Sequence, residues 1–192
     1  MLLLLGVLIG LITVPLAGGR LSMLGSARLR FVPAIFAALA VQIGILTVMP
    51  GGSDAVHRAL HLGSYALALL FLAANFRIGG MVIVALGTCL NVLAITANGG
   101  VMPASARALR AAGELASDGE FRNSAAVHHP RLLFLGDVFA VPKGWPLHNV
   151  FSIGDLFIAI GVAVVVHALS GSRLTTRART RAASALPADI AS

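Results

Sequence analysis

The residues best placed to do chemistry are two acids, Asp137 and Asp155, inside the stretch Leu132 to Gly161, LLFLGDVFAVPKGWPLHNVFSIGDLFIAIG. The chain has only 7 acidic residues, and these two are set in apolar sequence. Carboxylates at the edge of hydrocarbon are costly to hold there and tend to mark function. The Pro142-Lys143-Gly144-Trp145-Pro146 turn between them reverses the chain, so the two can meet. If they meet, one carboxyl holds a proton while the other is ionised, the arrangement that activates a water for peptide hydrolysis. A plainer role is open to Asp155. With Ser152 as N-cap it occupies the third helical position of a capping box, worth about 0.3–1 kcal/mol through the helix dipole. Asp137, between Leu135 and Val138-Phe139, has no such local explanation.

Two further groups accompany the acids. Asn98-Gly99-Gly100 closes an apolar segment; the glycines permit positive φ, and Asn98 offers a donor and an acceptor to a substrate carbonyl, or simply a helix stop. Asn91 lies two helical turns before Asn98 on the same face, a polar stripe that either faces substrate or bonds to a neighbouring helix. Ser152 and Asn149 complete the set of candidate substrate contacts. The competing constellation is histidine. His57 and His61 share a helix face at i, i+4, and His128, His129 and His148 fall in one loop. They are the alternative ligands for zinc or haem. No HExxH, CxxC or CxxCH accompanies them, so the expectation is no metal and no cofactor.

What must position these groups is a set of membrane helices. The chain of 192 residues is 58% hydrophobic and 11% charged, against about 25% charged in a soluble domain. Five apolar segments stand out, at 2–17, 31–49, 59–76, 78–97 and 150–169. About 20 helical residues cross the hydrocarbon layer, and all but the first segment reach about that length. The fold expected is therefore all-α, a polytopic bundle of five transmembrane helices within an integral membrane domain over 1–171. A loop over 98–148 lies outside, and a basic, disordered cytoplasmic tail spans 172–192. The first segment has the length of a signal peptide, but Met1 leads straight into leucines and arginines follow it, so it reads as an uncleaved span.

Arg20, Arg28, Arg30, Arg77, Arg173, Arg177, Arg179 and Arg181 gather on one side of this topology, which sets the N-terminus outside and the C-terminus in the cytoplasm of the cell membrane. The net charge of +7 thus reports topology and contact with the lipid bilayer and its anionic lipids, not nucleic acid. Gly6-xxx-Gly10 offers a close-packing face. The third and fourth segments, joined through little more than Arg77, form an antiparallel hairpin. In the loop, 104–116 reads as a short interfacial helix, and 132–141 as a re-entrant or interfacial segment carrying Asp137.

Two resemblances follow from these motifs. AANFRIGG, LNVLAITANGGVMPAS, LLFLGDVFAVP and FSIGDLFIAIGV together resemble an uncharacterised family of bacterial five-span membrane proteins, a domain of unknown function, which implies the fold and no activity. Asn149-Val-Phe-Ser-Ile-Gly-Asp155 is similar to the last-helix motif of lipoprotein signal peptidase (signal peptidase II), and Leu135-Gly-Asp137-Val-Phe139 to the stretch holding its other aspartate. That likeness implies an aspartyl dyad at Asp137 and Asp155; the substrate expected is a lipid or a membrane protein. Ser152 stands where that motif has Asn, and Gly154 where it has Ala. The function expected is an aspartyl membrane hydrolase. Its rivals are a non-catalytic module binding a lipid, small molecule or partner, and a metal or haem protein.

Overall fold

The computed structural model describes residues 2–48, 54–114, 124–125 and 129–175. Most of it is helix. The helices are α1 (Leu2–Leu16), α2 (Val32–Val48), α3 (Asp54–Ala74), α4 (Met81–Ala97), the short α5 (Ala106–Ala112) and α6 (Ile153–Leu169). The apolar segments and the long helices coincide closely. The main shift is in α3, which begins at Asp54 and so takes His57 and Arg58 into the helix.

The five long helices pack in the order α2, α3, α4, α6, α1. Small residues set the closest approaches. A Cβ on Gly6 would run into the Ala159 carbonyl, and one on Gly10 would lie 2.9 Å from the Val166 Cβ. The Gly6-xxx-Gly10 face is therefore the seam with α6. On the other side of α6, a Cβ on Gly87 would meet the Gly154 carbonyl, and one on Gly161 would lie 2.7 Å from the Val84 nitrogen. These pairings run α1 parallel to α6 and α4 antiparallel to it. Hydrogen bonds from Gln42 to Ser64 and between Arg30 and Asn75 run α2 antiparallel to α3. Successive long helices thus alternate in direction. One end of the bundle gathers the starts of α1, α3 and α6; the other gathers their ends.

The hairpin of α3 and α4 forms as expected, but its connection is longer than one arginine. Residues 75–80 make consecutive turns, with Ile78 N–H bonded to the Asn75 carbonyl and Met81 N–H to that of Ile78, each about 3 Å. Gly80 (φ 96°) starts α4 against α6, where any side chain would strike the Gly161 carbonyl and Val165.

The all-α expectation is amended between α4 and α6. There β1 (Met102–Pro103) pairs in parallel with β2 (Ser124–Ala125), and β3 (Phe139–Val141) pairs antiparallel with β4 (Asn149–Phe151). The expected helix over 104–116 is shorter. Ser105 caps it by accepting from the Ala108 N–H, and Gly113 ends it in the left-handed conformation. Ala108, Leu109 and Ala112 bury against Ala104, Val150 and Ala140, so α5 packs on the β-hairpin. The stretch expected as re-entrant or interfacial consists of a 3-10 turn at Leu133–Leu135 followed by β3. Of the basic tail, Ser172 is buried and the Arg173 N–H bonds to the Ala17 carbonyl at 3.1 Å, so the chain is held past 171; residues 176–192 lie outside the described region.

By length and composition α3 can cross a membrane, over Ala55–Ala74, while α1, α2, α4 and α6 are shorter apolar helices. Each of the five presents large apolar side chains outward, among them Ile12, Leu16, Phe36, Ile43, Leu70, Val82, Leu93 and Ile160.

Candidate functional site

The site is built by the β-hairpin. Its register pairs Phe139 with Phe151, whose rings stack at 5.4 Å. Carried two residues further, the same register would set Asp137 level with Ile153, at the first turn of α6. The turn over Pro142 to His148 thus does what its composition promised, with the Trp145 N–H closing onto the Pro142 carbonyl at 2.9 Å.

At the start of α6 the backbone N–H groups lack helical partners, and Ser152 and Asp155 supply them. Ser152 Oγ accepts from the Asp155 N–H at 3.0 Å, and Asp155 Oδ2 accepts from the Ser152 N–H at 3.0 Å. This is the capping box open to Asp155 from the sequence. Asn91 on α4 closes the arrangement. Its Nδ2 donates to Asp155 Oδ1 at 2.8 Å, and its Oδ1 accepts from Ser152 Oγ at 2.8 Å. Both carboxylate oxygens of Asp155 therefore accept a hydrogen bond. Gly154 makes this possible, because a Cβ there would occupy the place of the Asn91 amide oxygen. The alanine of the peptidase motif has no room at this position.

Asp137 is 4% exposed and lies in a short parallel bridge with Ala104. Its N–H bonds to the Pro103 carbonyl at 2.9 Å, and its carbonyl accepts from the Ser105 N–H at 3.1 Å. The preceding Gly136 is required there, since a Cβ would collide with the Pro103 carbonyl. The sequence reading also missed a tyrosine on α3. The hydroxyl of Tyr65 on α3 lies within electrostatic range of Asp155 and, more weakly, of Asp137. Tyr65 follows His61 by one helical turn, and their rings are 5.2 Å apart. The i, i+4 spacing of 57, 61 and 65 carried that signal.

The remaining candidates separate. Asn98 uses its whole amide on backbone: Nδ2 donates to the Ala94 and Arg131 carbonyls, each at 2.7 Å, and Oδ1 accepts from the Arg131 N–H at 2.8 Å. It fastens the returning loop to the end of α4. Gly99 and Gly100 both take positive φ, and the Gly100 carbonyl lies 3.3 Å from His61 Nδ1. Asn149 belongs to β4 and is half-buried. His57 and His61 are buried, His129 and His148 are exposed, and His128 lies outside the described residues. Among the described residues no three His, Cys, Asp or Glu side chains gather into a metal site.

The family of unknown function DUF5317 matches residues 26–167 of the chain. The chain belongs to that family. An uncharacterised protein of Thermotoga maritima is 31% identical over 101 residues, covering 53% of this chain and 58% of the relative, so the chain spans little more than half the length of that protein. No solved structure matches. The first resemblance read from the motifs is thereby met as a family without assigned activity, and neither match bears the name of a peptidase. Both aspartates and Asn91 fall within the span that DUF5317 covers.

Proposed function

We propose that this member of DUF5317 is a five-span membrane protein, N-terminus outside and C-terminus cytoplasmic, that serves as a binding module rather than a hydrolase. The observation carrying the second half of this reading is the structural use of Asp155, each of whose oxygens accepts a hydrogen bond from within the fold. Its two oxygens cap α6 and tie that helix to α4 through Asn91. A general base needs a lone pair aimed at water in the substrate pocket. In this carboxylate each oxygen gives a lone pair to the fold instead. The Asp137 backbone joins the α5 segment to the hairpin. The membrane half is supported by the outward apolar side chains on all five helices and by their alternating directions. The 17-residue helices α2, α4 and α6 sit at the lower limit, about 17 residues, for a membrane span.

Two measurements test it. Cys89 is exposed on α4, so in native membranes a water-soluble maleimide leaves it unlabelled until the protein is denatured in detergent; prompt labelling in membranes sinks the five-span reading. Asp155→Asn should lower the unfolding temperature in detergent, as expected of an anchor.

One observation favours the hydrolase reading as a second: the hairpin register, carried two residues on, sets Asp137 level with the first turn of α6, which holds Asp155. On that reading wild type cleaves a lipid-modified peptide, Asp155→Asn and Asp137→Asn both lose cleavage, and their unfolding temperatures stay unchanged.

A further inference from the structure

The end of the bundle opposite the aspartates holds a concave site of different chemistry. A cavity of about 370 Å³ is lined by Arg28, Arg30 and Arg77 together with Asn75, Phe76 and Ile78, and among the described residues no acid lines it. That volume falls in the range of small-ligand pockets, about 300–1,000 Å³. From this arrangement we infer that the chain binds a phosphate-bearing anion in this cavity, as a lipid headgroup or as free phosphate.

The arginines are placed, not merely present. Leu29 tucks against the core formed by Phe71, Leu72, Met81 and Val84. Arg28 and Arg30, on either side of Leu29, both line the cavity. Asn75, only 4% exposed, clamps Arg30 by its backbone: Oδ1 accepts the Arg30 N–H at 2.9 Å, and Nδ2 donates to the Arg30 carbonyl at 2.8 Å. The same Nδ2 reaches the Phe71 carbonyl at 2.8 Å, so the clamp is anchored in α3. Arg77 comes from the α3–α4 turn, its guanidinium 5.6 Å from the Phe76 ring centroid.

Guanidinium groups bind phosphate through paired N–H donors, and three of them around one cavity match a phosphomonoester better than a monovalent anion. Scattered arginines that only fix topology need neither a shared cavity nor a buried amide holding one of them. Phe76 and Ile78 give the wall an apolar part suited to the glycerol and acyl end of a lipid. The lipid source rests on the membrane reading above; binding of free phosphate does not.

The test uses the full chain, purified in a neutral maltoside detergent and reconstituted into phosphatidylcholine nanodiscs. Retention of dioleoyl phosphatidate is measured by native mass spectrometry, and binding of inorganic phosphate by calorimetry. Replacing Arg28, Arg30 and Arg77 together by Gln should weaken the bound probe about tenfold or more, as expected for loss of charged hydrogen bonds. The same charge removed elsewhere, in Arg107→Gln with Arg110→Gln and Arg131→Gln, should leave it unchanged. Phosphatidate held without phosphate identifies the lipid headgroup; phosphate held as tightly identifies the free anion; both support the site. Binding of neither probe, or an equal loss in the control triple, overturns it. If the first triple does not fold, Arg28→Gln and Arg77→Gln are measured singly with the same criteria. Phosphate binding together with prompt Cys89 labelling in membranes would leave this site standing and remove the membrane reading.

Discussion

The two ends of the bundle use charge in opposite ways. At one, Asp155 has each oxygen engaged by a neighbouring N–H, and Asn91 bonds both Asp155 and Ser152. At the other, Arg28, Arg30 and Arg77 are exposed around a cavity, and the buried amide nearby, Asn75, bonds backbone and leaves the guanidiniums unclaimed. A polar group bonded from within stabilises the fold. One that is positioned and left facing a cavity is available to a ligand. The difference assigns structure to the acids and recognition to the arginines, and it predicts that the two sets of substitutions will act on different measurements.

The largest effect should come from Asp155→Ala. It removes the reciprocal half of the capping box, while Ser152 still caps, and strands the Asn91 amide and the Ser152 N–H, a loss of about 2–4 kcal/mol from those unsatisfied groups together. Unfolding in detergent followed by circular dichroism measures it. A cost below about 1 kcal/mol would mean that the ring is incidental and would return the acids to the catalytic reading.

Next is Gly154→Ala, which forces a methyl into the Asn91 amide and should cost about 1–3 kcal/mol by overpacking. Its control is Gly44→Ala in α2, where nothing lies within 4 Å, and which should be neutral or gain up to about 1 kcal/mol. If the two behave alike, the seam between α4 and α6 is looser than its geometry, and the contrast between the ends weakens with it.

How much of this was legible follows from where the information sits. The long helices could be read because apolar runs of helical length are a local property, and their ends fell within a few residues of the observed ones except at α3. There, His57 and Arg58 interrupt hydropathy without interrupting the helix. The capping box was visible because Ser152 and Asp155 are three residues apart. Asn91, by contrast, meets Asp155 across 64 residues, and nothing local says which of two open options an amide on an apolar helix takes. Gly154 read as a departure from a peptidase motif; its reason lies on α4. The loop misled for the same cause. LLFLGDVFAV has the hydropathy of a membrane segment, but short strands are defined by their partners, and β3 finds its partner in β4 beyond a turn. The arginine cavity was legible only as a charge count, since Asn75 reaches Arg30 over 45 residues.

Asn75→Ala sharpens the comparison from the other end. It unpairs the Arg30 N–H and carbonyl near the bundle end, where water can replace part of what is lost, so the cost should be about 1–2 kcal/mol. It changes no charge. Phosphate or phosphatidate retention should nevertheless fall, because Arg30 loses its backbone clamp. Retention equal to wild type would show that the arginines need no positioning.

The smallest effect on stability is expected for Arg28→Gln. Its side chain is exposed, no described acid faces it in the cavity, and surface substitutions of this kind usually stay within about 0.5 kcal/mol. Mutual repulsion among three guanidiniums around one cavity would even favour the variant slightly, and this repulsion is screened by salt. The prediction is therefore an unfolding midpoint unchanged or marginally raised at low ionic strength, the rise vanishing at high salt, alongside weakened anion retention. A bound phosphate reverses the sign, since it links to the folded state and its stabilisation is lost with the arginine. Melting wild type and Arg28→Gln with and without added phosphate thus separates the two contributions. If phosphate raises both midpoints equally, Arg28 plays no part in binding the anion.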